Sequence, residues 1–232
     1  MKIALIGHGA MGKLIAQLAA ENNHQIAVII NEADSLLSPD ELAAKLAGAD
    51  AAIDFTVAAA VKRNIEACVL ARVSLVEGTT GWNDELENIK KIVAEKNGAL
   101  VYGANFSVGV NLFYRITDFA AELFAKFDEY ETFIEEQHHS RKRDAPSGTA
   151  LKLKSIVSAH IKKDFSIAAT RAGHIPGTHR VGFDGAADQV LLEHTARSRE
   201  GFAAGALLAA DWIIGKTGVY EFSQVMDEVL HR

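Results

Sequence analysis

Cysteine is nearly missing from this chain: Cys68 is the single one in 232 residues. That excludes an internal disulfide and a zinc centre built on paired thiolates, and it fits a protein made in a reducing compartment. Proline is also scarce, at 3 residues, and no low-complexity stretch or Gly/Ser linker interrupts the chain. There is no excess of positive charge: 24 Lys and Arg face 30 Asp and Glu, a formal net charge of −6. A surface dominated by basic patches is therefore not expected, and neither is a nucleic-acid partner. No apolar run approaches the ~18 residues of a membrane span. The opening stretch Met1 to Ile6 is broken by Gly7-His8-Gly9 before it reaches signal-peptide length. A cytoplasmic protein without a membrane partner is the expectation. What is present is ordinary for a globular chain: hydrophobic residues are 49 % and charged residues 23 %, values that exclude a disordered or fibrous protein. The unusual item is glycine, at 18 residues.

Ile3 to Ile6 is a continuous apolar run suited to a strand buried on both faces. After the glycines, Met11, Leu14, Ile15, Leu18 and Ala19 recur with a helical period. Gln25 to Ile30 reads as a second strand, followed by the polar loop Asn31 to Asp34. Ser38-Pro39-Asp40-Glu41 combines an N-cap serine, proline at the first helical position and a glutamate closing a capping box, so a helix runs to about Leu46. Strands at Ala51 to Phe55, Val73 to Val76 and Ala99 to Tyr102 alternate with helices at Val57 to Arg72, capped by Thr56, and Asp84 to Lys96. This strict alternation predicts an α/β fold, a Rossmann-type doubly wound parallel sheet. It ends near Asn105. Helices at Asn111 to Phe127 and Ser147 to Lys163, strands at Glu131 to Glu136 and Val190 to Thr195, and a glycine-rich stretch from Ala172 to Ala187 without helical period predict a smaller inserted α+β domain. Helices return at Phe202 to Ile214 and Glu221 to Leu230. The expected division is a domain of residues 1–107 plus 199–232, with residues 108–198 inserted.

Gly7-His8-Gly9-Ala10-Met11-Gly12 is a G-x-G-x-x-G turn standing directly after a strand and opening a helix. The first glycine permits the tight turn, the second lets backbone approach a pyrophosphate, and the third lets helix and strand pack closely. NADH or NADPH is the implied cofactor. The acidic residue expected at the end of the second strand falls on Asn31-Glu32. Glu32 as acceptor of a ribose 2′-hydroxyl favours NADH; Asn31 in that position leaves room for a 2′-phosphate. With no arginine nearby the reading leans to NADH with NADPH tolerated. Other strand ends carry Asp54-Phe55-Thr56, Gly78-Thr79-Thr80 and Gly103-Ala104-Asn105-Phe106, small or hydroxylated residues against which a nicotinamide can lie.

Between Glu136 and Thr149 the chain concentrates His138, His139, Arg141, Lys142 and Arg143 ahead of an N-cap serine, Ser147. Histidine exchanges a proton near neutral pH, and the flanking arginines are expected to favour the neutral form of Lys142. The N–H groups of Gly148 and Thr149 at the helix start form an anion site, implying a small polyanionic substrate. The two histidines lack a carboxylate or third histidine at ligand spacing, so no metal is expected.

The run His138-His139-x-x-Lys142-x-Asp144-Ala145-Pro146-Ser147-Gly148-Thr149-Ala150 resembles the signature of the dihydrodipicolinate reductase family of the bacterial diaminopimelate and lysine pathway. Gly7 to Gly12, Asp54 to Thr56, Gly78 to Gly81, Ala104 to Asn111, Gly173-His174, Pro176 to Thr178, Val181 to Phe183 and Glu193 to Thr195 resemble it in the same order, over essentially the whole chain. The resemblance implies hydride transfer from a reduced nicotinamide to a cyclic imine dicarboxylate. His138 is then the acid/base residue, Lys142 the proton donor, His139 a substrate contact, and Gly148 with Thr149 the holders of a carboxylate. The dinucleotide falls to Gly7 to Gly12, Gly78 to Thr80 and Gly103 to Phe106. The family also implies a homotetramer built through the second domain's sheet, with Glu131 to Glu136 and Val190 to Thr195 as interface strands. The chain departs from longer members in a compressed segment between Ala172 and Glu193 and in a glycine turn one residue shorter than many have. Another Rossmann oxidoreductase, such as an amino-acid dehydrogenase, lacks the His-His to Ser-Gly-Thr loop. A dinucleotide-sensing regulator needs a DNA- or partner-binding module that this sequence does not show.

Overall fold

The computed structural model describes residues 1–231. They form two compact units, Met1–Val108 with residues 199–231, and Gly109–Ser198. In the first, strands β1 (Lys2–Ile6), β2 (Gln25–Ile30), β3 (Ala51–Asp54), β4 (Ser74–Glu77) and β5 (Ala99–Tyr102) alternate with helices α1 (Ala10–Glu21), α2 (Pro39–Leu46), α3 (Ala58–Ala71) and α4 (Leu86–Glu95). When the chain returns it adds α7 (Glu200–Ile213), β10 (Gly218–Glu221) and α8 (Phe222–Leu230).

All pairings in this sheet are parallel, in the order β10-β5-β4-β3-β1-β2. A parallel sheet covered on both faces needs apolar residues on both sides of each strand, and Ile3 to Ile6 and Ala51 to Ile53 are accordingly buried throughout. The order reverses between β1 and β3, so the loops leaving these strands diverge and open a crevice at their carboxyl ends. The capping box before α2 forms as its sequence dictates: Glu41 N–H donates to Ser38 Oγ at 3.3 Å and Ser38 N–H to Glu41 Oε2 at 2.8 Å.

Several local expectations are corrected. Val57, not Thr56, occupies the N-cap of α3, without a side-chain cap. The helix expected from Asp84 begins as a 3-10 turn, Asn83–Glu85, before α4. The sixth strand, β10, lies between the two expected tail helices, where the sequence predicts no element, and ends on Glu221, one residue before α8.

The second unit contains α5 (Val108–Phe124), β6 (Glu131–His138), α6 (Gly148–His160), β7 (Ile167–Arg171), β8 (Thr178–Asp184) and β9 (Gln189–Thr195). Its sheet has the order β7-β6-β8-β9, with β6 parallel to β7 and the other pairs antiparallel. Apolar residues of α5 and α6 cover one face: Phe113, Ala121, Leu153 and Val157 pack with Ile134, Val181 and Phe183. The rings of Phe124 and Phe183 stack at 4.3 Å. Two strands here, β7 and β8, had no sequence expectation, and β8 lies inside the glycine-rich stretch. Helix α5 starts three residues before the expected Asn111. β9 is an edge strand with Val190 and Leu191 exposed, whereas β6 is paired on both sides.

Candidate functional site

In the first unit the glycine turn connects β1 to α1. Gly7 adopts φ +93°, and a Cβ there would lie 2.6 Å from the Phe55 carbonyl oxygen. A Cβ on Gly12 would lie 2.1 Å from the Gly7 carbonyl oxygen, so only glycine lets α1 approach the strand end this closely. A Cβ on Gly9 would meet nothing within 4 Å. Gly9 is the N-cap of α1, with no side-chain cap, so the first turn of α1 presents its N–H groups toward open space. That is a cradle of the shape and polarity a pyrophosphate requires. His8, Gly9 and Ala10 are exposed, Met11 half-buried and Gly12 buried.

The other expected cofactor residues divide by role. Gly78 is small for an internal reason, since a Cβ would fall 2.2 Å from the Phe55 ring. A Cβ on Gly103 would come 3.0 Å from Phe222. Phe106 is only 2 % exposed; its ring lies between Phe55, at 6.2 Å, and Phe222, at 4.7 Å. Its side chain belongs to the core. Ala104 and Thr80 are exposed, and Asn105 Oδ1 accepts the Ser107 N–H at 2.9 Å. Thr79 is buried and joins two loops, its Oγ1 accepting the Thr56 N–H at 3.0 Å. At the end of β2, Asn31 Oδ1 accepts the Ala33 N–H at 2.9 Å, while buried Asp34 accepts the Asn31 N–H at 3.0 Å and pairs with Lys45. Glu32 points outward, exposed.

In the second unit, Glu136 organises the basic loop. Its carboxylate is fully buried and receives Arg171 at 2.6 and 2.9 Å, the Ser147 N–H at 3.2 Å and His138 Nδ1. Burial opposes its charge, but Arg171 and His138 outweigh burial and hold the carboxyl below its ordinary range. The ring of His138 is thereby oriented with Nδ1 on Glu136. A Cβ on Gly177 would lie 3.0 Å from His138 Nε2, so Gly177 leaves the room that His138 occupies. Burial lowers the His138 pKa, against the pull of Glu136 and with help from Lys142 and Arg171. The ring is therefore neutral near pH 7, with Nε2 as its proton acceptor.

Lys142 departs from expectation. The charged group against it is an anion: its Nζ lies 2.9 Å from Asp144 Oδ1. The pair draws the Asp144 carboxyl below its ordinary pKa. Ser147 Oγ accepts the Ala150 N–H at 3.2 Å, the expected N-cap of α6, and also contacts His179 Nε2 at 3.0 Å. Gly148 stands open, with nothing within 4 Å of a built Cβ. Thr149 and the phenol of Tyr114, both half-buried, meet. His139 is half-buried, with Nδ1 lacking a hydrogen-bond partner.

Sequence reasoning did not find Glu136, Arg171, His179 or Gly177 as members of this cluster. Glu136, His138 and His179 offer three ligand atoms within 4.8 Å of one another, so the spacing argument against a metal fails. The donors are nevertheless committed: both Glu136 oxygens face Arg171, and His179 Nε2 faces Ser147. The arrangement is an ion-pair and hydrogen-bond network around a histidine. Among the described residues no helix is long and apolar enough to cross a membrane.

Comparison with known proteins bears on both units. The family described as dihydrodipicolinate reductase, N-terminus, matches residues 1–106. The one described as dihydrodipicolinate reductase, C-terminus, matches residues 109–226. A protein of Christiangramia forsetii named 4-hydroxy-tetrahydrodipicolinate reductase is 34 % identical, covering 99 % of both chains. One of the same name from Neisseria gonorrhoeae is 33 % identical over 97 % of both. In fold, the chain is similar to a dipicolinate-bound dihydrodipicolinate reductase from Paenisporosarcina, with a TM-score of 0.79 at 20 % identity, covering 95 % of this chain and 97 % of that one. An amine dehydrogenase from Mycobacterium smegmatis is more distant, with a TM-score of 0.63 at 10 % identity, covering 96 % of this chain and 95 % of that one. With both halves matched and full-length relatives above 30 % identity, the chain belongs to the dihydrodipicolinate reductase family.

Proposed function

We propose that the chain reduces 4-hydroxy-tetrahydrodipicolinate to tetrahydrodipicolinate with NADH or NADPH, in the cytoplasm, as a step of diaminopimelate and lysine biosynthesis. The observation that carries this reading is the loop in which His138, held by Glu136, and Lys142 precede the Ser147-capped start of α6, in a chain matched by the family along both units. When bound, the reduced nicotinamide supplies the hydride. Residues 1–107 and 199–232 serve as the dinucleotide domain. Gly7 to Gly12 hold the pyrophosphate, Asn31 and Glu32 meet the ribose, and Gly78 to Thr80 with Gly103 to Phe106 line the nicotinamide side through backbone and small side chains. Residues 108–198 serve substrate and assembly.

Within that second region the N–H groups of Gly148 and Thr149 receive a substrate carboxylate. Helix N-termini favour anions, and Gly148 allows close approach. His139 contacts the substrate through its ring. Once the 4-hydroxyl has left as water, giving the unsaturated cyclic imine, Lys142 delivers the proton that balances the hydride, and His138 Nε2 accepts and returns protons, steadied by the carboxylate of Glu136 behind it. The exposed Val190 and Leu191 on edge strand β9 support a homotetramer joined through this sheet. The reading is tested by supplying the purified protein with enzymatically generated substrate and following NADH and NADPH oxidation separately. Substrate-dependent oxidation of at least one is expected, and its absence with both overturns the assignment.

A further inference from the structure

Two carboxyl groups lie in the first unit where apolar residues are expected. Asp54 ends β3, Glu77 ends β4, and the two are register partners in the sheet. Both are fully buried. Each spends one oxygen on a loop or helix: Asp54 Oδ2 accepts from Asn64 Nδ2 at 2.7 Å, and Glu77 Oε1 accepts the Thr79 N–H at 2.7 Å. The remaining oxygens, Asp54 Oδ1 and Glu77 Oε2, are buried with no hydrogen-bond partner, on side chains that the register sets beside each other. Two ionised carboxylates so placed, out of water, repel strongly, whereas one proton between them satisfies both orphaned oxygens.

Among the described residues, none of the elements packed around the pair sets a cation against it to replace that proton. From α3 come the thiol of Cys68 and the amide of Asn64, whose Oδ1 is held by Arg63 at 2.9 and 3.1 Å. The buried residues of α7 are all apolar or glycine. On β5, Tyr102 is the register partner of Glu77, but its ring meets Trp82 and its charged neighbours are Glu221, Lys90 and Glu87. Burial, first, and mutual repulsion push the Glu77 carboxyl well above its ordinary range; burial likewise raises Asp54.

The pair stands behind two loops that meet. Glu77 holds the Thr79 backbone, Thr79 Oγ1 receives the Thr56 N–H, and Thr56 Oγ1 lies 3.4 Å from Asn64 Nδ2, which returns the chain of contacts to Asp54. We propose that Asp54 and Glu77 share one proton and act as positioning residues, locking the loop after β3 to the loop after β4 so that Thr56, Thr79 and Thr80 are set to receive the dinucleotide. This rests on the reading of Gly78 to Thr80 as cofactor contacts.

The test has two arms on the full chain at neutral pH. Infrared difference spectra of wild type minus Glu77→Gln, in heavy water, should contain the carbonyl stretch of a protonated carboxylic acid; its absence overturns the proposal. Direct titration of NADH and NADPH should show Glu77→Leu binding about tenfold or more weakly, with Glu77→Gln restoring affinity because its amide donates to Asp54 while its carbonyl still accepts from Thr79. Should Glu77→Leu not fold, Glu77→Asp, which keeps a carboxyl but shortens its reach, is expected to show the same loss. Unchanged affinity in a folded Leu or Asp variant overturns the proposal. Wild type that binds neither dinucleotide instead overturns the functional reading on which it rests.

Discussion

Arg171 closes a two-pronged ion pair on Glu136, with Nη2 2.6 Å from Oε1 and Nη1 2.9 Å from Oε2. The strands that carry them are parallel neighbours, and Arg171 is the register partner of His138. The pair therefore fixes the strand end from which the basic loop departs. Arg171 Nη2 also donates to the Asp144 carbonyl at 2.6 Å, and Glu136 Oε1 accepts the Ser147 N–H. One buried carboxylate thus ties β7, the loop and the start of α6 to the ring of His138.

Removing Arg171 leaves that carboxylate buried without its main partner. Arg171→Ala should lower unfolding stability by about 3–5 kcal/mol, whereas a double replacement of Arg171 and Glu136 by leucine and methionine should cost less than the single change. Denaturant unfolding of the three proteins checks this. A single variant within about 1 kcal/mol of wild type would mean that the pair holds nothing.

His138 and Lys142 are assigned to proton transfer and not to cofactor binding. Alanine at either position should lower kcat by roughly 10²–10⁴ while dinucleotide affinity stays close to wild type. Steady-state kinetics together with direct cofactor titration separate the two effects. Near-normal turnover in both variants removes them from the mechanism.

Burial, and after it the proximity of His138, lowers the His179 pKa from 6.5 to about 4. The folded protein keeps this ring neutral while the unfolded chain takes up a proton near pH 6.5, so the unfolded state binds more protons between these values. Stability contributed by the neutral ring is complete above about pH 6.5 and is lost as pH falls toward 4, on the order of 3 kcal/mol in all. Glu136, whose carboxyl is lowered, adds its own loss only below its ordinary 4.5. Unfolding free energy at pH 7.5 and 5.5 should therefore differ less in His179→Gln than in wild type. Equal pH dependence in the two rejects the assignment to His179.

The elements legible in the sequence are those whose signal is local. Ser38-Pro39-Asp40-Glu41 predicts α2 because a capping box is complete within four positions, and it forms. The glycine turn is legible because strand, turn and helix are contiguous. What escaped depends on pairing at a distance. Arg171 reaches Glu136 only because β6 and β7 are neighbours, and nothing in either segment announces the other. β8 opens on the polar run Thr178-His179-Arg180 before Val181-Gly182-Phe183, inside a glycine-rich stretch, and β10 is four residues long. Asp54 and Glu77 end strands whose other residues are largely apolar, so their burial beside each other follows from register alone.

Two glycines that look alike in sequence should behave in opposite ways. Gly12→Ala places a Cβ 2.1 Å from a backbone oxygen, forcing α1 off the strand end. A loss of about 1–3 kcal/mol together with loss of dinucleotide binding is expected. Gly148→Ala meets nothing within 4 Å and occupies a helical position that favours alanine, so stability should hold or rise by up to about 1 kcal/mol. Its effect belongs to the ligand: KM for the dicarboxylate should rise while the cofactor is bound as before. Thermal melts and KM values decide, and a Gly148→Ala enzyme with unaltered KM removes the carboxylate from that helix start.

The end of β2 offers one acidic side chain for the ribose. Asn31 is committed locally, its Oδ1 to the Ala33 N–H and its own N–H to Asp34, and Asp34 is buried against Lys45. Glu32 remains exposed at the turn and able to accept from a 2′-hydroxyl. Its carboxylate would also oppose a 2′-phosphate, so a single residue acts on the two cofactors with opposite sign. Glu32→Ala should weaken NADH by about tenfold, the worth of one hydrogen bond to a charged group, and leave NADPH unchanged or tighter. Parallel titrations of both cofactors measure the difference, and equal loss for the two would show that recognition at this turn rests on the backbone.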